Sequence, residues 1–179
     1  MTDIHGSIEA PSPWVARWAG LVPQGGRVLD VACGHGRHAR WFAARGYAVD
    51  AVDRNAEALA TLAGVANVLP HCADIEAGPW PYAPGAYACV VVTNYLHRPL
   101  FPQLLDALVE GGVLLYETFA LGNERYGRPS NPDFLLKPGE LLAVVSGRLA
   151  VHAYEDLLLE SPRPARVQRI CARLATNAA

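Results

Sequence analysis

Residues 28–39 read VLDVACGHGRHA, and the fold turns on how this stretch is read. An apolar run broken by one acid, Asp30, leads into two glycines, Gly34 and Gly36, spaced by a single residue. A mostly apolar run suits a central parallel strand covered on both faces. The glycines allow close backbone approach and leave N–H groups free at the start of a helix, which favours a carboxylate or a phosphate there. The frame Gly34-x-Gly36-x-x-Ala39 also satisfies the dinucleotide-binding fingerprint, in which alanine can replace the third glycine. Two kinds of ligand therefore fit this stretch, and the rest of the chain must separate them.

Downstream, Ala39, Phe42 and Ala43 recur at helical spacing, and Gly46 supplies a stop. YAVDAVD predicts a second strand, NAEALATLAGV a helix, NVLPHCAD a third strand and AYACVVVTNYL a fourth. Pro99 opens a further helix, with Phe101, Leu104, Leu105 and Leu108 on one face, and Gly111-Gly112 stops it before a fifth strand, VLLYETF. The stretch IEAGPWPYAPGAY holds three prolines and two glycines, so a loop or single turn is expected there in place of a crossover helix. Upstream, Ser12-Pro13 predicts an N-cap and first helical position. Near the end, Lys137-Pro138-Gly139-Glu140 opens a short helix. LAVHAYEDLLLE and ARVQRICARLA are strand-like runs joined by SPRP, too short for a crossover helix and so an antiparallel hairpin. Alternating strands and helices predict an α/β fold, a doubly wound, mostly parallel seven-stranded sheet. A single domain over residues 1–179 is expected, with an N-terminal helical segment over 1–22.

Composition narrows the function. At 51% apolar and 18% charged, the chain is globular. A net charge of −2 gives no reason to expect nucleic-acid binding through phosphate neutralisation. Residues 1–120 hold 7 Arg/Lys against 11 Asp/Glu and 121–179 hold 8 against 6, a mild basic bias that would suit an anionic acceptor. Cys33, Cys72, Cys89 and Cys171 lie 39, 17 and 82 positions apart, neither zinc nor redox-motif spacing; reduced thiols and no metal are expected. The first residues, MTDIHGSIEAPSPW, lack a basic-then-apolar signal, and no apolar run reaches about 18 residues. A cytoplasmic protein with no membrane segment is the expectation.

In open α/β sheets, ligands bind beyond the carboxyl ends of the strands. Polar residues fall there: Asp30 to Gly36, then Asp53, Asp74 and Asn94. Asp53, 17 positions after Gly36, is placed to accept both ribose hydroxyls or to cap the next helix. Asp74 with Ile75 would read an adenine edge or make a turn. Arg37 would hold a ligand carboxylate or stay solvated, and His35 and His38 read as surface residues. The dinucleotide reading weakens at Asp30, because a carboxylate within the strand end would repel pyrophosphate and suits a ligand with a positive group. A dehydrogenase also needs a substrate domain, and only residues 120–179 follow the fifth strand.

VLDVACGHGRHARWFAARGYAVDAVDRN resembles motifs I and II of class I S-adenosylmethionine-dependent methyltransferases, and HCADIE, VVVTNYLH and LVEGGVLLYETF resemble the later motifs in order. The Cys-Gly-x-Gly-Arg variant and FLLKPGELL are most similar to the tellurite-resistance and thiopurine-like bacterial branch. The resemblance implies S-adenosylmethionine as cofactor and a methyl acceptor that is a small molecule. It implies that Asp30, Ala32, Cys33, Gly34, Gly36 and Arg37 line the methionine and ribose part. Asp53 would hold the ribose, Arg54 would flank the adenine, Asp74 and Ile75 would read it, and Asn94 and Tyr95 would lie near the sulfonium. Thr93-Asn94-Tyr95-Leu96 stands where amino-methyltransferases carry Asn/Asp-Pro-Pro-Tyr, which argues against adenine or glutamine as acceptor. If a base is needed, His97, Glu117 and Tyr126 are the candidates. Residues 118–140 form an expected acceptor-side lid, with Arg125 or Arg128 on an anionic or polar acceptor and Tyr126 as a stacking face. The bland alternative is a strap whose arginines pair with Glu117, Glu124 or Asp133. The rival functions are a non-catalytic adenosyl-binding or scaffolding domain and a small NAD-binding oxidoreductase.

Overall fold

A computed structural model describes residues 10–176; the first part of the expected 1–22 segment therefore lies outside the described residues. Strands β1 (Arg27–Val31), β2 (Ala48–Asp53), β3 (Val68–Cys72), β4 (Tyr87–Thr93), β5 (Leu108–Phe119), β6 (Leu149–Leu159) and β7 (Ala165–Leu174) form one sheet. Its order is β3-β2-β1-β4-β5-β7-β6. The first five strands pair in parallel, while β7 runs antiparallel to both β5 and β6. That inserted antiparallel strand separates the sheet from the 3-2-1-4-5-6 order of dinucleotide-binding domains.

Among the described residues, five α-helices flank the sheet: α1 (Pro13–Trp18), α2 (Arg37–Ala43), α3 (Ala56–Ala60), α4 (Phe101–Asp106) and α5 (Glu140–Val145). Ser12 caps α1 by accepting from the Trp14 N–H at 3.1 Å, with Pro13 at the first helical position. Alternation along the central strands splits the core. Leu29, Val31, Val90, Val92, Leu114 and Tyr116 pack on the α4–α5 side, and Val28, Val49, Cys89, Val91 and Leu115 on the side that also holds Trp14, Phe42 and Leu59. Both faces of β4 are therefore apolar, which is why its sequence is a continuous run.

Two elements differ from the sequence expectation. α3 ends at Ala60, not near Val65, because Thr61, Leu62 and Ala63 donate to carbonyls three residues back and the last turn tightens. β5 begins at Leu108, so Gly111-Gly112 lie inside it rather than before it. A Cβ on Gly112 would come within 2.8 Å of the Val109 carbonyl oxygen and 3.0 Å of that of Tyr87. The glycine thus marks the register shift between Tyr87 and Cys89. Residues 73–86 between β3 and β4 carry no helix, as the prolines require; Trp80 and Tyr82 pack onto the exposed sheet face instead.

Candidate functional site

The carboxyl ends of β1, β2, β4 and β5 open on a cleft made of two adjoining recesses. The larger, about 360 Å³, is lined by Ala32, Asp53, Arg54, Ala73, Asp74, Ile75, Glu76, Asn94, Tyr95, Leu96, Thr118, Phe119, Pro129 and Phe134. The second is lined by Ala32, Cys33, Gly34, His35, Arg37, His38, Thr93 and Asn94. Ala32 and Asn94 belong to both, and both hold positive φ (52° and 55°) without being glycine. Strain of this kind persists where the surroundings over-determine the backbone, and it clusters at ligand sites. Here it sits where the two recesses meet.

The glycine turn is held from below by Asp53. One carboxylate oxygen accepts from the Gly34 N–H and the other from the Asn55 N–H, each at 2.8 Å. Each oxygen keeps lone pairs for a ligand hydroxyl. Asn55, not Asp53, caps α3, accepting from the Ala58 N–H at 3.1 Å. Gly34 has open space where a Cβ would stand, so its backbone faces the cleft. Gly36 differs: a Cβ there would meet Leu62 at 2.6 Å, and the residue lines neither recess. Its glycine is set by a left-handed conformation and by packing.

Asp30 is likewise corrected. It is buried behind the turn and accepts from the Ala39 N–H of α2 at 2.9 Å, lining neither recess. Burial pushes its carboxyl up to about 7, the Ala39 N–H opposing. Asp74 lies at the rim, its Oδ1 accepting from the Glu76 and Ala77 N–H groups, which lower its pKa; it makes the turn and still lines the cleft.

None of the three candidate bases lines either recess. Glu117 is buried, accepts from Ser12 Oγ at 2.7 Å and pairs with Arg169 at 3.1 Å. That makes it a fastener between α1, β5 and β7, corrected from catalytic to structural. His97 stands 3.8 Å from Glu76, just outside the lining set, and Tyr126 is solvent-exposed on the connection after β5. Arg125 and Arg128 are exposed there too and line neither recess. The expected pairs with Glu117, Glu124 or Asp133 do not form among the described residues. Arg98 anchors that connection instead, donating to Glu140 and to the carbonyls of Asp133 and Leu135. Asn123 adds a second anchor by donating to the Pro129 carbonyl and accepting from the Arg166 N–H. Sequence reading missed Arg98, because its partners lie far along the chain, and missed Phe119, Pro129 and Phe134 because nothing local marks a wall residue.

His38, expected at the surface, is buried. Its Nε2 accepts from the Ser12 N–H at 3.0 Å, so the ring is neutral, and burial pushes its pKa down to about 3. A histidine with a depressed folded pKa loses stability as pH falls through the unfolded value of about 6.5. Wild-type protein should therefore lose about 2 kcal/mol between pH 7 and pH 5 through His38 alone. Urea midpoints of His38→Gln should lack that component. Equal losses in both proteins would refute the neutral-ring assignment.

Residues 28–112 match the family model described as a methyltransferase domain. TehB from Haemophilus influenzae superposes with a TM-score of 0.73 at 21% identity, over 97% of this chain and 63% of that one. An S-adenosylmethionine-dependent methyltransferase from Mesorhizobium loti matches at 0.69 and 17% identity, over 88% and 96%. A geranyl diphosphate C-methyltransferase from Streptomyces coelicolor, solved with S-adenosylhomocysteine, matches at 0.65 and 19% over 90% and 76%. The chain thus spans less than two thirds of the TehB chain. No curated protein sequence matches it. The part of the cleft where β1, β2 and β4 end lies inside the matched residues. The cleft's far wall at Thr118, Phe119, Pro129 and Phe134 lies beyond them.

Proposed function

We propose that the chain is an S-adenosylmethionine-dependent methyltransferase acting on a small molecule, with the donor lying across both recesses. The observation that carries this reading is their junction at Ala32 and Asn94, with Asp53 and Asp74 to one side and Arg37 to the other. Asp53 would accept from the ribose hydroxyls, Asp74 and Ile75 would meet the adenine, and Arg54 would flank it. Arg37 and the Gly34 backbone would hold the amino-acid carboxylate, beside Cys33. The open space over Gly34 supports this fit, since any side chain there would fill the cradle.

The donor's sulfonium supplies an activated methyl group, whose carbon–sulfur electron pair stays on sulfur as the acceptor lone pair forms the new bond. The chain's own work is alignment, and proximity supplies much of the acceleration. Asn94 and Tyr95 bound the junction where the reacting atoms would meet. A proton released on transfer would pass to water or to a carboxylate lining the recess, Asp53, Asp74 or Glu76.

Free thiols at all four cysteines suit a reducing compartment, the cytoplasm, and no helix among the described residues is long and apolar enough to cross a membrane. Calorimetric titration tests the reading. S-adenosylmethionine and S-adenosylhomocysteine should both bind and NAD should not; NAD binding without a response to S-adenosylhomocysteine overturns it.

A further inference from the structure

We infer that the acceptor is a small molecule with an apolar body and no negative charge, selected by Phe134 on the connection after β5. The inference rests on the donor reading above. Past the junction at Asn94, the larger recess is walled by Tyr95, Leu96, Thr118, Phe119, Pro129 and Phe134, none of which carries a charge at neutral pH. Formal charge along the recess is confined to Asp53, Arg54, Asp74 and Glu76, three carboxylates against one guanidinium. A recess lined mainly by negative charge repels anions. The guanidiniums that an anionic acceptor would need are elsewhere: Arg125 and Arg128 line neither recess, and Arg98 is spent on Glu140 and two carbonyls.

Phe134 is the distinctive residue. Phe134 is 53% exposed, whereas the next two residues, Leu135 and Leu136, are buried in the core. The backbone beneath it is tied down, with the Phe134 N–H donating to the Asn131 carbonyl and the Leu136 N–H to that of Phe119. A held backbone thus presents an aromatic ring at the rim of the recess, beside Pro129. Covering that ring with an apolar acceptor returns the free energy of taking both surfaces out of water, without the cost of ordering a loop.

A matched set of probes sharing one ring tests this: benzyl alcohol, benzoate and benzylammonium. Each is offered to protein saturated with S-adenosylhomocysteine, and contact is read by saturation-transfer NMR. Benzyl alcohol and benzylammonium should both receive saturation and benzoate none. Phe134→Lys should weaken the benzyl alcohol contact by about tenfold or more, the scale of losing one aromatic burial, with S-adenosylhomocysteine affinity unchanged. Benzoate binding as well as the alcohol, no probe binding, or an unaffected Phe134→Lys each overturn the inference while leaving the donor reading standing. Failure of S-adenosylhomocysteine itself to bind overturns both.

Discussion

Arg169→Leu should destabilise the fold by about 3–5 kcal/mol, the range for removing one partner of a buried ionic group, and leave S-adenosylhomocysteine affinity unchanged. Arg169 donates to Glu117 at 3.1 Å and to Glu155 at 2.7 Å, and its guanidinium lies 4.8 Å from the centre of the Trp14 ring. Its side chain and that of Glu117 are 15% and 12% exposed, so the charges are poorly screened. Leucine at this position leaves two carboxylates facing each other across β7, with Arg17, 3.7 Å from Glu155, as the remaining cation. Ser12 Oγ still donates to Glu117, which offsets part of the loss. Chemical unfolding gives the stability change, and a melting temperature lower by on the order of 10 °C is the matching thermal result. A stable variant that has lost the ligand would mean that this cluster serves the site and not the fold.

Asp53→Ala should weaken S-adenosylmethionine binding by about 1.5–3 kcal/mol, or roughly 10–150-fold, the range for hydrogen bonds to a charged group. The structure adds a reason beyond the ribose: the same carboxylate holds the Gly34 and Asn55 N–H groups. Alanine would free the glycine turn as well as remove the acceptor, so the larger end of the range is expected. Titration calorimetry on Asp53→Ala and Asp53→Asn separates the two contributions. Asparagine can still accept through its carbonyl oxygen, so it should retain part of the affinity. Wild-type affinity in Asp53→Ala would show that the donor does not use this end of β2.

The strand–helix alternation was legible because each element carries a short-range signal: an apolar run of strand length, a cap such as Ser12-Pro13, a stop such as Gly46. The position of Asp53 was legible for the same reason, since the end of β2 follows from its apolar run. Where the acid's neighbours come from was not. Asp30 and Asp53 look alike in sequence, each an acid in an apolar run. They part only when α2 packs over one face of β1 and supplies the Ala39 N–H to Asp30.

The sequence by itself determined the sheet, its antiparallel ending, and the stations after β1 to β4 that border the cleft, because those depend on periodicity and turn chemistry within a few residues. Tertiary structure alone decided which polar residues face the cleft and which are consumed holding it together. Glu117 meets Ser12 across 105 positions and Arg169 across 52, and Arg98 meets Glu140 across 42. Nothing local distinguishes such a fastener from a catalytic group: both are charged residues at the end of a strand or the start of a helix. What separates them is whether a partner arrives from far along the chain, which only the packed fold specifies.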